Sequence, residues 1–110
     1  MSKLPKRFTD FVETYPEIGE SYHQLGKAVS NAGPLDPKTR ALVKLGMAIG
    51  AGIEGGAHSQ IRKALDAGAT PDELRHTALQ ALTTLGFPTM MKGLGWVDDV
   101  VRKHQEQTND

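Results

Sequence analysis

Glu54 and His58 stand four residues apart in Ala51-Gly-Ile-Glu54-Gly-Gly-Ala-His58, a carboxylate and an imidazole set in an otherwise apolar, glycine-rich stretch. On a helix this spacing places both on one face, a turn apart. A carboxylate beside an imidazole holds it in one tautomer and stabilises its protonated form, the arrangement that general acid–base catalysis needs. The face continues through Ile61 and Leu65, which directs the pair toward a core or a cleft. Gly50, Gly52, Gly55 and Gly56 leave space for a small molecule or for close backbone approach. The plain structural alternative is that the pair only satisfies itself, since such a contact adds about 0.2–0.5 kcal/mol to a helix.

Other chemistries have less support. Glu54 and His58 could give a metal two ligands, but the sequence is not HExxH, and His23 and His76, the possible third ligands, lack spacing partners. No metal is expected. His76 and His104 read as solvent or interface residues. Ser59 follows His58 directly and would point about 100° away from it on a helix. Neither a GxSxG elbow nor a GxxxxGK[ST] phosphate loop is present. Lys44 inside an apolar segment is either a lysine of lowered pKa or, more commonly, a side chain that snorkels out from a core edge.

The composition excludes further classes. With no cysteine, this chain has no disulfide, thiolate metal site or thiol redox chemistry of its own. Thirteen basic residues balance thirteen acidic ones, which leaves no electrostatic footprint for nucleic acid or an anionic membrane. No signal-peptide pattern is present, and the apolar stretch over 42–53 is broken by Lys44 and glycines. The expectation is one domain over 1–110, soluble and cytoplasmic.

The elements that must position the pair are helical. Phe8, Phe11, Val12 and Tyr15 keep a helical spacing, as do Ile18, Tyr22, Leu25 and Val29 after Pro16. Asp36-Pro37 starts a third helix, with Leu42, Leu45, Gly46 and Ile49 on one side. A fourth runs over roughly 53–67 and stops at Gly68. Thr70-Pro71-Asp72-Glu73 is a capping box that opens a fifth helix, expected to bury Leu74, Ala78, Ala81, Leu82 and Leu85 and to end at Gly86. Phe87-Pro88 opens a sixth, with Met91, Leu94, Val97 and Val101 as its stripe. The fold class is all-α, about six helices. Leu79 and Trp96 fall off their stripes, which suggests second apolar sides buried by another subunit.

Three segments carry a resemblance. They are Leu35-Asp-Pro-Lys-Thr-Arg-Ala-Leu-Val-Lys-Leu-Gly-Met-Ala-Ile-Gly50, then His58, then Lys63-Ala-Leu-Asp-Ala-Gly-Ala-Thr-Pro-Asp-Glu-Leu74. In that order, over about 36–96, they resemble the carboxymuconolactone decarboxylase family, which includes the alkylhydroperoxidase-D-like proteins. The resemblance implies an alkylhydroperoxidase-D-like helical domain in a homo-oligomer, commonly a trimer of dimers (a hexamer), with sites near subunit contacts. Peroxidase members carry a CxxC pair with a histidine four residues after its second cysteine. Counting back from His58, those positions are Ala51 and Glu54, so thiol peroxidase chemistry cannot run through this motif. The glutamate that often follows Thr-Arg in the redox members is Ala41.

What remains is similar to the cysteine-free decarboxylases, whose reaction removes carboxylate from a muconolactone to give an enol-lactone without metal or organic cofactor. On that resemblance Glu54 and His58 would be the acid–base pair. Arg62 would hold the substrate, and Phe87 and Trp96 would help wall the pocket. The partners implied are further copies of the chain and a small-molecule ligand, with no cofactor. The alternative is a non-catalytic helical oligomer that binds a ligand or partner after loss of the redox site.

Overall fold

Proline positions mark most of the helix starts in the computed structural model, which describes residues 5–108. Pro5 precedes α1 (Lys6–Thr14), and Pro16 and Pro37 open α2 (Pro16–Ser30) and α3 (Pro37–Ala51). A missing N–H costs nothing in a first turn, whose N–H groups have no helical partner. α4 (Glu54–Asp66), α5 (Pro71–Leu79), α6 (Ala81–Thr84) and α7 (Phe87–Thr108) complete the order, and no strand occurs among the described residues. The all-α expectation holds. No helix among them is long and apolar enough to cross a membrane.

The chain divides into two compact units, residues 1–35 and 36–110. In the first, α1 and α2 touch where Gly19 meets Val12, and the Phe8 and Tyr22 rings meet edge to face at 6.3 Å. A Cβ on Gly19 would lie 3.0 Å from Val12, so glycine is what lets the helices approach there. Gly19 is also the one residue buried among those described in this unit.

The second unit holds the apolar core. Leu45 and Ile49 of α3, Ile61 of α4, Leu74 of α5 and Val97 of α7 are its largest fully buried side chains. Between α3 and α4 the chain reverses through Gly52 and Ile53. Gly52 takes φ 70°, its N–H donates to the Ile49 carbonyl, and the Ile53 N–H donates to the Ala48 carbonyl. This is a Schellman-type stop, for which glycine is the least strained residue. α4 ends similarly at Gly68, as its position in the sequence implies.

Two sequence expectations need correction. The fifth helix is two segments, because the chain tightens at Gln80, whose N–H is shared between the His76 and Thr77 carbonyls. Leu74, Ala78 and Ala81 are buried as expected, but Leu82 and Leu85 are exposed. The α7 stripe is also rotated. Its buried residues are Met90, Gly93, Trp96, Val97, Val100 and Val101, while Met91 faces solvent. Trp96 therefore belongs to this chain's own core and supplies no free apolar side. Leu79 does stay exposed.

Candidate functional site

The site grows from the turn between α3 and α4. Ala51 is the last residue of α3 and Glu54 the first of α4, so the stretch that first draws notice is a helix junction. Ile53 at the N-cap of α4 offers no side-chain acceptor, and Glu54 is the acidic residue of the first turn. A carboxylate there complements the positive end of the helix, which gives Glu54 a local reason to exist apart from any chemistry.

From Glu54 the helix face descends into the core. Glu54 is 63% exposed, His58 one turn on is 24% exposed, and Ile61 is fully buried. His58 Nε2 lies 3.6 Å from Glu54 Oε2, within Coulombic reach but beyond hydrogen-bonding distance. That nitrogen is buried and has no hydrogen-bond partner. The ring's exposure therefore belongs to its other atoms. Buried polar atoms are nearly always paired, so an unpaired one in a partly open ring calls for an explanation.

Trp96 supplies the wall behind the imidazole. Its ring stands edge to face with His58, at a centroid distance of 6.4 Å and 82° between planes, a favoured aromatic arrangement. Lys92, one turn earlier on α7, holds its ammonium 5.8 Å from the Trp96 ring centroid. Nothing in the sequence motif pointed to Lys92. Its i, i+4 relation to Trp96 on one helix is the available signal, masked because apolar periodicity puts Trp96 off the buried stripe.

The structure brings Glu54, His58 and Trp96 together. Arg62 is partly buried one turn past His58 on α4. Phe87 opens α7 and is 60% exposed; nine residues separate it from Trp96, roughly 13 Å along the helix axis. His23 and His76 are exposed, and among the described residues no group of three His, Cys, Asp or Glu is placed to hold a metal. Lys44 is exposed as well.

A cavity of about 190 Å³ lies elsewhere in the second unit, lined by Gly46 and Ile49 of α3, Thr77, Gln80, and Ala81, Thr84 and Leu85. The Thr77 and Thr84 hydroxyls donate to the carbonyls of Glu73 and Gln80, so neither is committed to the cavity. Neither Glu54 nor His58 lines it. Ligand pockets commonly exceed about 300 Å³, so this hollow is small for a substrate.

Against known proteins, the sequence model of the carboxymuconolactone decarboxylase family matches residues 16–99, from the first residue of α2 into α7. No curated protein and no solved structure matches the chain.

Proposed function

The chain belongs to the carboxymuconolactone decarboxylase family, and from that premise we propose that it is a cofactor-independent small-molecule enzyme, working as a homo-oligomer, with Glu54 and His58 as its acid–base pair. The observation that carries this reading is His58 Nε2, buried, unpaired and facing the Glu54 carboxylate at 3.6 Å. Catalytic hydrogen bonds are often long in the unliganded state and tighten when charge develops. Protonation of the imidazole would close this gap, leaving the ring's open edge to exchange a proton with a ligand. Trp96 fixes the ring plane meanwhile.

In a decarboxylation the bond from carbon to carboxylate breaks and CO₂ departs. The electron pair stays on the substrate, spread into its conjugated carbonyl, until the carbon takes up a proton. His58 is the proton donor in this reading, with the Glu54 carboxylate 3.6 Å from its Nε2. Redox chemistry of the CxxC type has no foothold, because Ala51 and Glu54 occupy those positions and the chain has no cysteine. With Glu54 open to solvent in one protomer, a neighbouring copy would supply the enclosure that desolvates the reaction.

One observation favours a second reading. Glu54 has its role at the N-terminus of α4, and the cavity of about 190 Å³ lies away from it; this fits a helical oligomer that binds a ligand without turning it over. The two part company in one experiment. CO₂ release from a panel of carboxylated lactones is measured for the native protein and for His58→Ala, with sedimentation of both. The acid–base reading expects turnover that falls by about 10²–10⁴-fold in His58→Ala, the usual range for a lost general acid–base group, with unchanged mass. If the native protein turns over no member of the panel and the His58 imidazole resonances respond to none of them, the non-catalytic reading stands.

A further inference from the structure

Trp96 is the only tryptophan of the chain, and two polar side chains from different helices meet its buried ring. His58 of α4 stands edge to face with it at 6.4 Å, and the Lys92 ammonium of α7 lies over it at 5.8 Å. The ammonium is therefore no farther from the imidazole than those two distances together. An aromatic face attracts a cation at this range, and the lysine stem covers apolar surface on the way. Trp96 thus holds a positive charge on the same ring that sets the plane of His58, whose Nε2 lacks a partner.

That charge is not neutralised within the chain. The helical neighbours of Lys92 at three and four residues are Pro88, Thr89, Gly95 and Trp96, none of them acidic. Among the described residues no carboxylate forms an ion pair with Lys92, whereas Lys6, Lys38, Arg75 and Arg102 each have one. Lys92 is exposed, so its ammonium can meet a ligand without opening the core. Arg62, by contrast, is partly buried in the part of α4 that holds the fully buried Ile61 and Ala64.

We propose that Lys92 makes this site selective for anionic ligands: its ammonium pairs with a carboxylate of the small molecule that faces His58. The inference rests on the reading that His58 faces a ligand, and it adds the group that orients that ligand. Lys92 binds and positions; it exchanges no proton. With the carboxylate held from α7 and the proton exchanged from α4, the ligand has two fixed points. The attraction strengthens as water leaves the site, because charges interact more strongly at lower dielectric. A lysine that only covers Trp96 would act through its methylene stem. Removing the charge while keeping the stem separates the two roles.

Trp96 fluorescence is the readout, because no second tryptophan contributes. Benzoate, sorbate and 2-furoate are each titrated against their neutral amides at about pH 8, above the usual imidazole range, so that attraction of the acids to an imidazolium does not enter. The native protein should hold at least one acid roughly tenfold or more tightly than its amide, the range of a hydrogen bond to a charged group. About 0.5 M salt should shrink that preference. Lys92→Met keeps the stem and should lose the preference, and Lys92→Arg should retain it. Lys103→Met removes the same charge from another exposed position of α7 and should leave the preference intact. Lys92→Gln is the second charge-free variant if methionine alters the melting transition. The proposal is overturned if no acid is preferred over its amide, or if the charge-free variants keep the preference while Arg62→Met loses it or leaves it unchanged. Its failure is separable from that of the acid–base reading. Acids held through Lys92 with no carboxylated lactone turned over would sink that reading alone, whereas turnover with the same KM in native and Lys92→Met protein would sink this one alone.

Discussion

Gly93 and Gly95 share α7 and a residue type, yet their surroundings give opposite predictions. A Cβ on Gly93 would stand 2.9 Å from Ile49 Cδ1 and 3.0 Å from Cγ2, so this almost fully buried side chain would have to shift. Overpacking of this kind costs about 1–3 kcal/mol, more than the roughly 1 kcal/mol of helix propensity that alanine gains over glycine. Gly93→Ala should therefore lower the urea midpoint, and Ile49→Val in that background should recover part of the loss by removing Cδ1. A Cβ on Gly95 meets nothing within 4 Å, so Gly95→Ala should raise the midpoint, with a gain in stability of up to about 1 kcal/mol. Equal shifts for both glycines would contradict the geometry. The same residue explains a misreading. Periodicity judged from apolar side chains passes over a glycine that is buried, so it puts Met91 on the α7 stripe and Trp96 off it. Glu54 and His58 were legible because spacing alone relates them. The unpaired state of Nε2 was not, since it depends on what α7 places nearby.

Helix starts were the most legible elements, because capping is local chemistry. At α5 the Thr70 hydroxyl accepts from the Glu73 N–H at 3.1 Å, and a Glu73 carboxylate oxygen accepts from the Thr70 N–H at 2.9 Å. Lys38 of α3 adds a contact at 3.0 Å to the same carboxylate, joining two helix starts in the second unit. At α3, Asp36 accepts from the Thr39 N–H at 2.8 Å. Thr70→Ala should cost about 1 kcal/mol, the usual worth of such a cap. The backbone N–H of Thr70, then Lys38, holds the Glu73 carboxyl below its ordinary value, and the N–H of Thr39 does the same for Asp36. Folded values below unfolded ones mean that this stabilisation is whole above the unfolded pKa and is lost as pH falls through the folded one. Thermal stability should thus decline below roughly pH 4, where unperturbed carboxylates protonate, and Glu73→Gln should flatten part of that decline. An acid limb of the same slope in Glu73→Gln would count against the link. The break at Gln80 had no comparable signature: a shared N–H in a continuous helical pattern is a matter of tertiary packing, and it turned Leu82 and Leu85 outward against expectation.

For the whole chain, the distribution of burial bears on what folds as a unit. Among the described residues, every buried hydrophobic side chain lies between Ala41 and Val101, inside the unit of residues 36–110. The family match nevertheless begins at Pro16 and so includes α2, a helix that contributes only Gly19 to any interior. Sequence periodicity shows that α2 has an apolar face but not what packs on it, because packing depends on residues distant in sequence. If cooperativity resides where the core is, removing residues 1–35 should leave a protein that still unfolds in one urea transition, since the contacts that make unfolding all-or-none remain. Its m-value should fall only by the small surface that α1 and α2 expose on unfolding. A fragment with a broad, non-cooperative transition would instead make the hairpin part of the folding unit, and the low burial of α2 would then need another cause.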